Sequence, residues 1–139
     1  MDWRIKAFIQ KGFSILPYGY RLNYLAQSKF MTGFSLSDQH FAWKIEHARD
    51  HLAHFDKYGQ KNTSLSDAVI LEIGTGWYPV IPLSFYLCGC NEMHSVDIYQ
   101  WMNSKTFFTC IDKFKEWHGR GILTKYLFDI DEKRLYSLL

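Results

Sequence analysis

Apolar positions recur with two different periods along this chain. Between residues 38 and 58, Phe41, Ile45, Ala48, Leu52 and Phe55 return at alternating spacings of four and three. That period predicts a helix over about Asp38 to Tyr58, with one apolar stripe facing a core. Ser37 suits its N-cap, and Asp38 is favourable in its first turn. Further on, Ala68-Val69-Ile70-Leu71-Glu72-Ile73 is a nearly unbroken apolar, β-branched run ending at Gly74. Such a run predicts a strand at the centre of a parallel sheet. Gly74 and Gly76 then let the backbone turn sharply and leave room beside it. A short helix should follow, with Pro82 tolerated in its first turn. Asn91 to Ile98 reads as a second strand. Strand, glycine turn, helix and strand make the opening unit of a nucleotide-binding α/β fold.

The flanking segments read as helices. Ile5, Phe8, Ile9, Gly12 and Leu16 share one face of an amphipathic segment over 3–16, which Pro17 ends. A shorter helix is expected over Arg21 to Phe30. Arg4, Lys6, Lys11, Arg21 and Lys29 make this region basic, which suits either a lid helix with its lysines in water or a surface for a membrane or RNA. The lid is preferred, because lysines at this density are ordinary on a protein surface. Gly59 to Asp67 is a polar linker. The chain is therefore read as an accessory helical segment, 1–60, and the start of the α/β domain, 61–139. After the second strand, Ser104 is expected to cap a helix to about Trp117, with Gly119 as its stop. Ile122 to Phe128 is read as helix. Asp129 or Asp131 should cap a last helix carrying Leu135, Leu138 and Leu139.

The acid before the first glycine narrows the chemistry. Glu72-x-Gly74-x-Gly76 resembles motif I of the class I S-adenosylmethionine-dependent methyltransferases. The longer stretch from Leu71 to Pro82, with Trp77-Tyr78-Pro79 in its turn, looks like a bacterial methyltransferase-like group. Tyr78 stands where the family pattern usually has a third glycine. A dinucleotide fingerprint fits less well, because it wants a glycine where Pro79 stands. Asp97 lies about 20 residues beyond the loop, where such folds place the acid that holds ribose hydroxyls. A carboxylate suits a vicinal diol because it accepts two hydrogen bonds at once.

What the resemblance implies is a Rossmann-like methyltransferase fold with S-adenosylmethionine as cofactor, held by Glu72, Gly74, Thr75, Gly76, Trp77, Asp97 and Ile98. Glu72 would hold the cofactor's amino group. The backbone from Gly74 to Gly76 would pass the methionine part, and Asp97 would take the ribose hydroxyls. Trp77 or Tyr78 would either wall the pocket or pack against the N-terminal helices. No catalytic residue and no methyl acceptor are assigned. The resemblance covers nearly the whole chain but only the opening half of a family member. The motifs after the family's third and fourth strands have no match here, so the sheet is expected to be incomplete. The chain reads as the N-terminal part of a longer protein, inactive by itself.

Composition limits the alternatives. A chain of 139 residues is at most one ordinary domain. A net charge of +2 does not suggest a dedicated nucleic-acid binder. Cys88, Cys90 and Cys110 show no disulfide framework, and a reduced, cytoplasmic protein is the simplest reading. Cys88 reads as a small core residue at a helix end, with Gly89 after it as the cap. No uncharged run is apolar and continuous enough to span a bilayer.

His40, His47, His51 and His54 form a second helical stripe, within about 60° of one another and beside the apolar face. His47 and His51 have metal-chelating spacing, but Ala48 stands where a zincin has glutamate, and no metal site is assigned. The stripe is read as a half-exposed flank that could face the cofactor or substrate mouth. Two further classes stay open. One is a non-catalytic interaction module, self-associating through an unpaired sheet edge. The other is a dinucleotide-dependent oxidoreductase, disfavoured by Glu72 and Pro79.

Overall fold

The computed structural model describes residues 36–59 and 62–138, together with Arg4, Ala7, Phe8, Lys11, Gly12, Tyr18 and Gly19. The chain divides into two compact units, Met1–Ser35 and Leu36–Leu139. In the first, Arg4, Ala7, Phe8, Lys11 and Gly12 are helical. The rest of the expected 3–16 helix, and the helix expected over Arg21 to Phe30, lie outside the described residues.

The second unit is a mixed α/β structure in the order α1 (Asp38–Tyr58), β1 (Val69–Ile73), α2 (Val80–Leu87), β2 (Glu92–Val96), α3 (Ser104–Gly119), α4 (Leu123–Tyr126) and α5 (Glu132–Leu138). It begins at Leu36, ahead of the long helix, whereas the polar linker had placed a boundary near residue 60. The reason is packing. Phe41, Ile45 and Ala48 on α1 are fully buried, and α1 packs against α2. The Ser37 hydroxyl caps α1 by accepting from the His40 N–H at 3.2 Å.

β1 and β2 pair in parallel, with Val69 opposite Glu92 and Ile73 opposite Val96. Among the described residues they are the whole sheet. The expectation that β1 is buried on both faces therefore fails. Ile70 and Glu72 are half-buried, but Val69, Leu71 and Ile73 are 63%, 62% and 80% exposed. Side chains alternate between faces along a strand, and among the described residues helices cover one face only.

The main core is helical. Phe41 meets Phe114 and Trp117 edge-on, with ring centroids 4.9 and 4.8 Å apart. Leu83, Leu87, Leu123, Leu127 and Leu135 fill in around them. A smaller cluster of Ala48, Phe85 and Cys90 seats the covered face of the sheet through Ile70 and Met93.

Both caps of α3 differ from expectation. Asn103, not Ser104, caps α3: its side chain accepts from the Thr106 N–H at 3.1 Å, and the Thr106 hydroxyl accepts from the Asn103 N–H at 3.0 Å. This reciprocal box satisfies two free donors, which a serine cap alone would not. The helix does end at Gly119, as expected, but Arg120 is its cap and Gly121, at φ 65°, makes the left-handed exit.

The helix expected over Ile122 to Phe128 is one turn only, α4 at Leu123–Tyr126, with Leu127 extended after it. At two other helix ends the local signals hold. Asp131 caps α5 through the N–H groups of Lys133 and Arg134. Cys88 ends α2, half-buried, and Gly89 follows at φ 105°. Leu139 lies outside the described residues. Among the described residues no helix is long and apolar enough to cross a membrane.

Candidate functional site

The site is built at the carboxyl end of the two strands. The Gly74 N–H donates to the Val96 carbonyl at 2.8 Å and carries the ladder one residue past β1. The chain then leaves the sheet through Gly74 and Gly76, at φ 87° and 73°. These angles favour glycine on backbone grounds. A Cβ at either residue would meet nothing within 4 Å, so the space beside the turn is open. Tyr78, two residues after Gly76, needs no positive φ.

The turn and the end of β2 meet through Asp97. Its Oδ2 accepts from the Gly76 N–H at 2.9 Å, and its Oδ1 from the Tyr99 N–H at 3.4 Å. Glu72 lies behind the turn, with Oε2 accepting from the hydroxyls of Thr75 at 2.7 Å and Ser95 at 2.8 Å. Thr75 is itself buried. Six of the expected site residues, Glu72, Gly74, Thr75, Gly76, Trp77 and Asp97, thus come to one corner. Ile98 follows Asp97 with its side chain 88% exposed. Trp77 is half-buried and stacks obliquely on Trp101, with ring centroids 5.2 Å apart. Tyr99 stands edge-on to Trp101 at 5.4 Å. Tyr78 is buried in the helical core, where burial pushes its hydroxyl pKa up.

The histidine stripe divides. His51 and His54 line a cleft of about 630 Å³ between α1 and the sheet, together with Lys44, Phe55, Glu72, Gly74 and Ile81. His40 lies outside that lining and is half-buried; burial, helped by Lys44, lowers its pKa. Among the described residues no three His, Cys, Asp or Glu side chains converge as metal ligands.

Lys44 was not singled out from the sequence. Its ammonium donates to the Thr75 carbonyl at 3.3 Å and so braces the glycine turn from α1. A signal for it was present. Positions 40, 44, 47, 51 and 54 form one continuous stripe at spacings of four and three, and Lys44 fills the gap among the histidines. Ser95 was missed for another reason: only strand register places it beside Glu72.

A second polar cluster ties α1 to α3. The Asp38 carboxylate accepts from Lys113 at 2.8 Å, Arg120 at 3.1 Å and Trp117 Nε1 at 3.3 Å. These hydrogen bonds, led by Lys113, hold its carboxyl far below the usual range. Glu116 pairs with the same two cations, and its pKa is lowered as well. Two of the cysteines are held as thiols. Burial pushes Cys110 up to about 12 and Cys88 up to about 11, far from the thiolate form at neutral pH. Comparison with protein-family models, with curated proteins and with solved structures found no match to this chain.

Proposed function

We propose that the corner at the ends of β1 and β2 binds S-adenosylmethionine, and that the chain is the cofactor-binding part of a methyltransferase. The observation that carries this reading is the 2.9 Å contact between Gly76 and Asp97, residues 21 apart in sequence. It brings the glycine turn and the acid together, as cofactor binding requires. Further support comes from the open space beside Gly74 and Gly76.

In this reading Asp97 takes the ribose hydroxyls. Each carboxylate oxygen offers more than one lone pair, so the present N–H contacts leave acceptor capacity. Glu72 keeps one oxygen for the Thr75 and Ser95 hydroxyls, and its other oxygen is available to an ammonium. The bound sulfonium supplies an already activated methyl group. What the chain contributes is positioning and exclusion of water, through the glycine backbone, Trp77 and Lys44 behind Thr75. No serine stands in a nucleophile-elbow pattern, and this chemistry needs none.

Titration calorimetry with S-adenosylhomocysteine and, separately, with NAD tests the reading. Saturable binding of S-adenosylhomocysteine without NAD binding is the expected result. Selective NAD binding would transfer the site to hydride chemistry.

A second reading has its own observation. Val69, Leu71 and Ile73 project from one face of β1, and Val96 and Ile98 are exposed on and just after β2. An exposed apolar area on a sheet suits a protein contact. Self-association in sedimentation, without S-adenosylhomocysteine binding, would favour an interaction module.

A further inference from the structure

The cleft between α1 and the sheet is not explained by the cofactor corner. From Lys44 to Tyr58 it follows α1 for about 20 Å, at 1.5 Å of rise per residue. Its walls are mostly apolar: Phe55 from α1, Ile70 and Met93 from the sheet, and Ile81 and Phe85 from α2. Its volume of about 630 Å³ lies in the range of small-molecule sites.

Lys44 enters this apolar trough near its Glu72 and Gly74 end. It is half-buried, and no carboxylate among the described residues stands within ion-pair distance of it. An ammonium has three donors, and the Thr75 carbonyl takes one. Glu72 acts on it at longer range, without an ion-pair contact, and its Oε2 accepts from the two hydroxyls. Burial lowers the Lys44 pKa, which Glu72 partly offsets. A half-buried cation with spare donors beside a long apolar trough matches a ligand with an anionic head and an apolar body.

We propose that this cleft binds an amphipathic organic carboxylate, its head at Lys44 and its apolar body along Ile81, Phe85 and Met93, past His51. If the methyltransferase reading holds, this ligand is the methyl acceptor; the binding itself does not depend on that reading. His51 and His54 lie on the α1 wall along the ligand's length, with Tyr58 at its far end.

The test uses octanoate and its neutral counterpart octanamide, titrated into the full chain while the histidine ring resonances are followed by NMR. Octanoate should shift His51 and His54 saturably, leave His94 and His118 unmoved, and bind about tenfold or more tighter than octanamide, the scale of one charge-assisted contact. Lys44→Met should abolish the preference for the carboxylate, and Lys44→Arg should keep it. Equal binding of the two probes by the wild-type protein overturns the proposal whether or not the variants fold. So does an absence of shifts at His51 and His54. Repeating the titration with S-adenosylhomocysteine separates the two readings. Unchanged octanoate affinity supports a ligand of its own in the cleft, and displacement would assign the anion site to the cofactor's carboxylate. Octanoate binding without S-adenosylhomocysteine binding keeps the cleft and removes the methyltransferase.

Discussion

The helical core and the two-stranded sheet are held in opposite ways. Around Phe41, Phe114 and Trp117 every large side chain has an apolar neighbour, and Phe41 and Phe114 have no exposed surface. β1, whose residues look more hydrophobic in sequence, keeps three of its five side chains largely in solvent. The candidate site belongs to the second region. Among the described residues, its glycine turn and Asp97 sit on strands that reach the core through Ile70 and Met93 and the small Phe85 cluster, while the turn itself runs on into Tyr78 in the helical core. The contrast teaches that stability and ligand chemistry are largely separate here. One resides between helices, and the other at the end of a thinly supported sheet. The two regions still meet at Lys44 against Thr75 and at Tyr78 in the helical core, so only changes away from those links should leave the other region nearly untouched.

The largest expected effect is on the helical side. Phe41→Ala removes a fully buried ring from two edge-on aromatic contacts. It should cost about 3–5 kcal/mol in urea unfolding. A loss below about 1 kcal/mol would mean that the helices do not carry the fold.

Gly76→Ala probes the turn between the regions. The site is roomy, so only the positive φ opposes the new methyl group. The expected cost is about 1–2 kcal/mol. No cost would mean that the turn relaxes and that Gly76 is not needed for its shape.

Asp38→Asn tests the polar clasp between α1 and α3. The folded pKa of Asp38 is depressed, so its contribution is present above the unfolded value of about 3.9 and lost as pH falls toward the folded value. The wild type should lose stability as acid is added below about pH 4, and the variant less steeply. Thermal melts across that range check it; parallel curves would show that the clasp contributes nothing.

Leu71→Ser should have the smallest effect, within about 0.5 kcal/mol, because the side chain already faces solvent. A large loss would mean that the open face of β1 is covered in solution.

What could be read from the sequence was local. The α1 helix falls on its expected residues because the stripe from Phe41 to Phe55, the Ser37 cap and Gly59 all act within a few residues. The glycine turn and the acid after β2 were legible for the same reason. The fate of Val69, Leu71 and Ile73 was not, because an apolar strand carries no mark of how many layers will cover it. Asn103 and Gly121 were passed over for near neighbours of similar type, since the choice depends on backbone angles. Lys44 was hidden by its company: in a stripe noticed for its histidines, the one lysine bracing Thr75 went unremarked.

The central claim is that Asp97 and the glycine turn form a cofactor corner largely separate from the helical core. Its most direct test is calorimetric titration of the wild type and of Asp97→Ala with S-adenosylhomocysteine, alongside their unfolding curves. The account predicts that the wild type binds, that the variant binds about 1–3 kcal/mol more weakly, and that the variant still unfolds cooperatively, with a stability loss no larger than the roughly 1 kcal/mol of the contacts Asp97 makes to the Gly76 and Tyr99 N–H groups. Equal affinity in a folded variant, or no binding by the wild type, would contradict it.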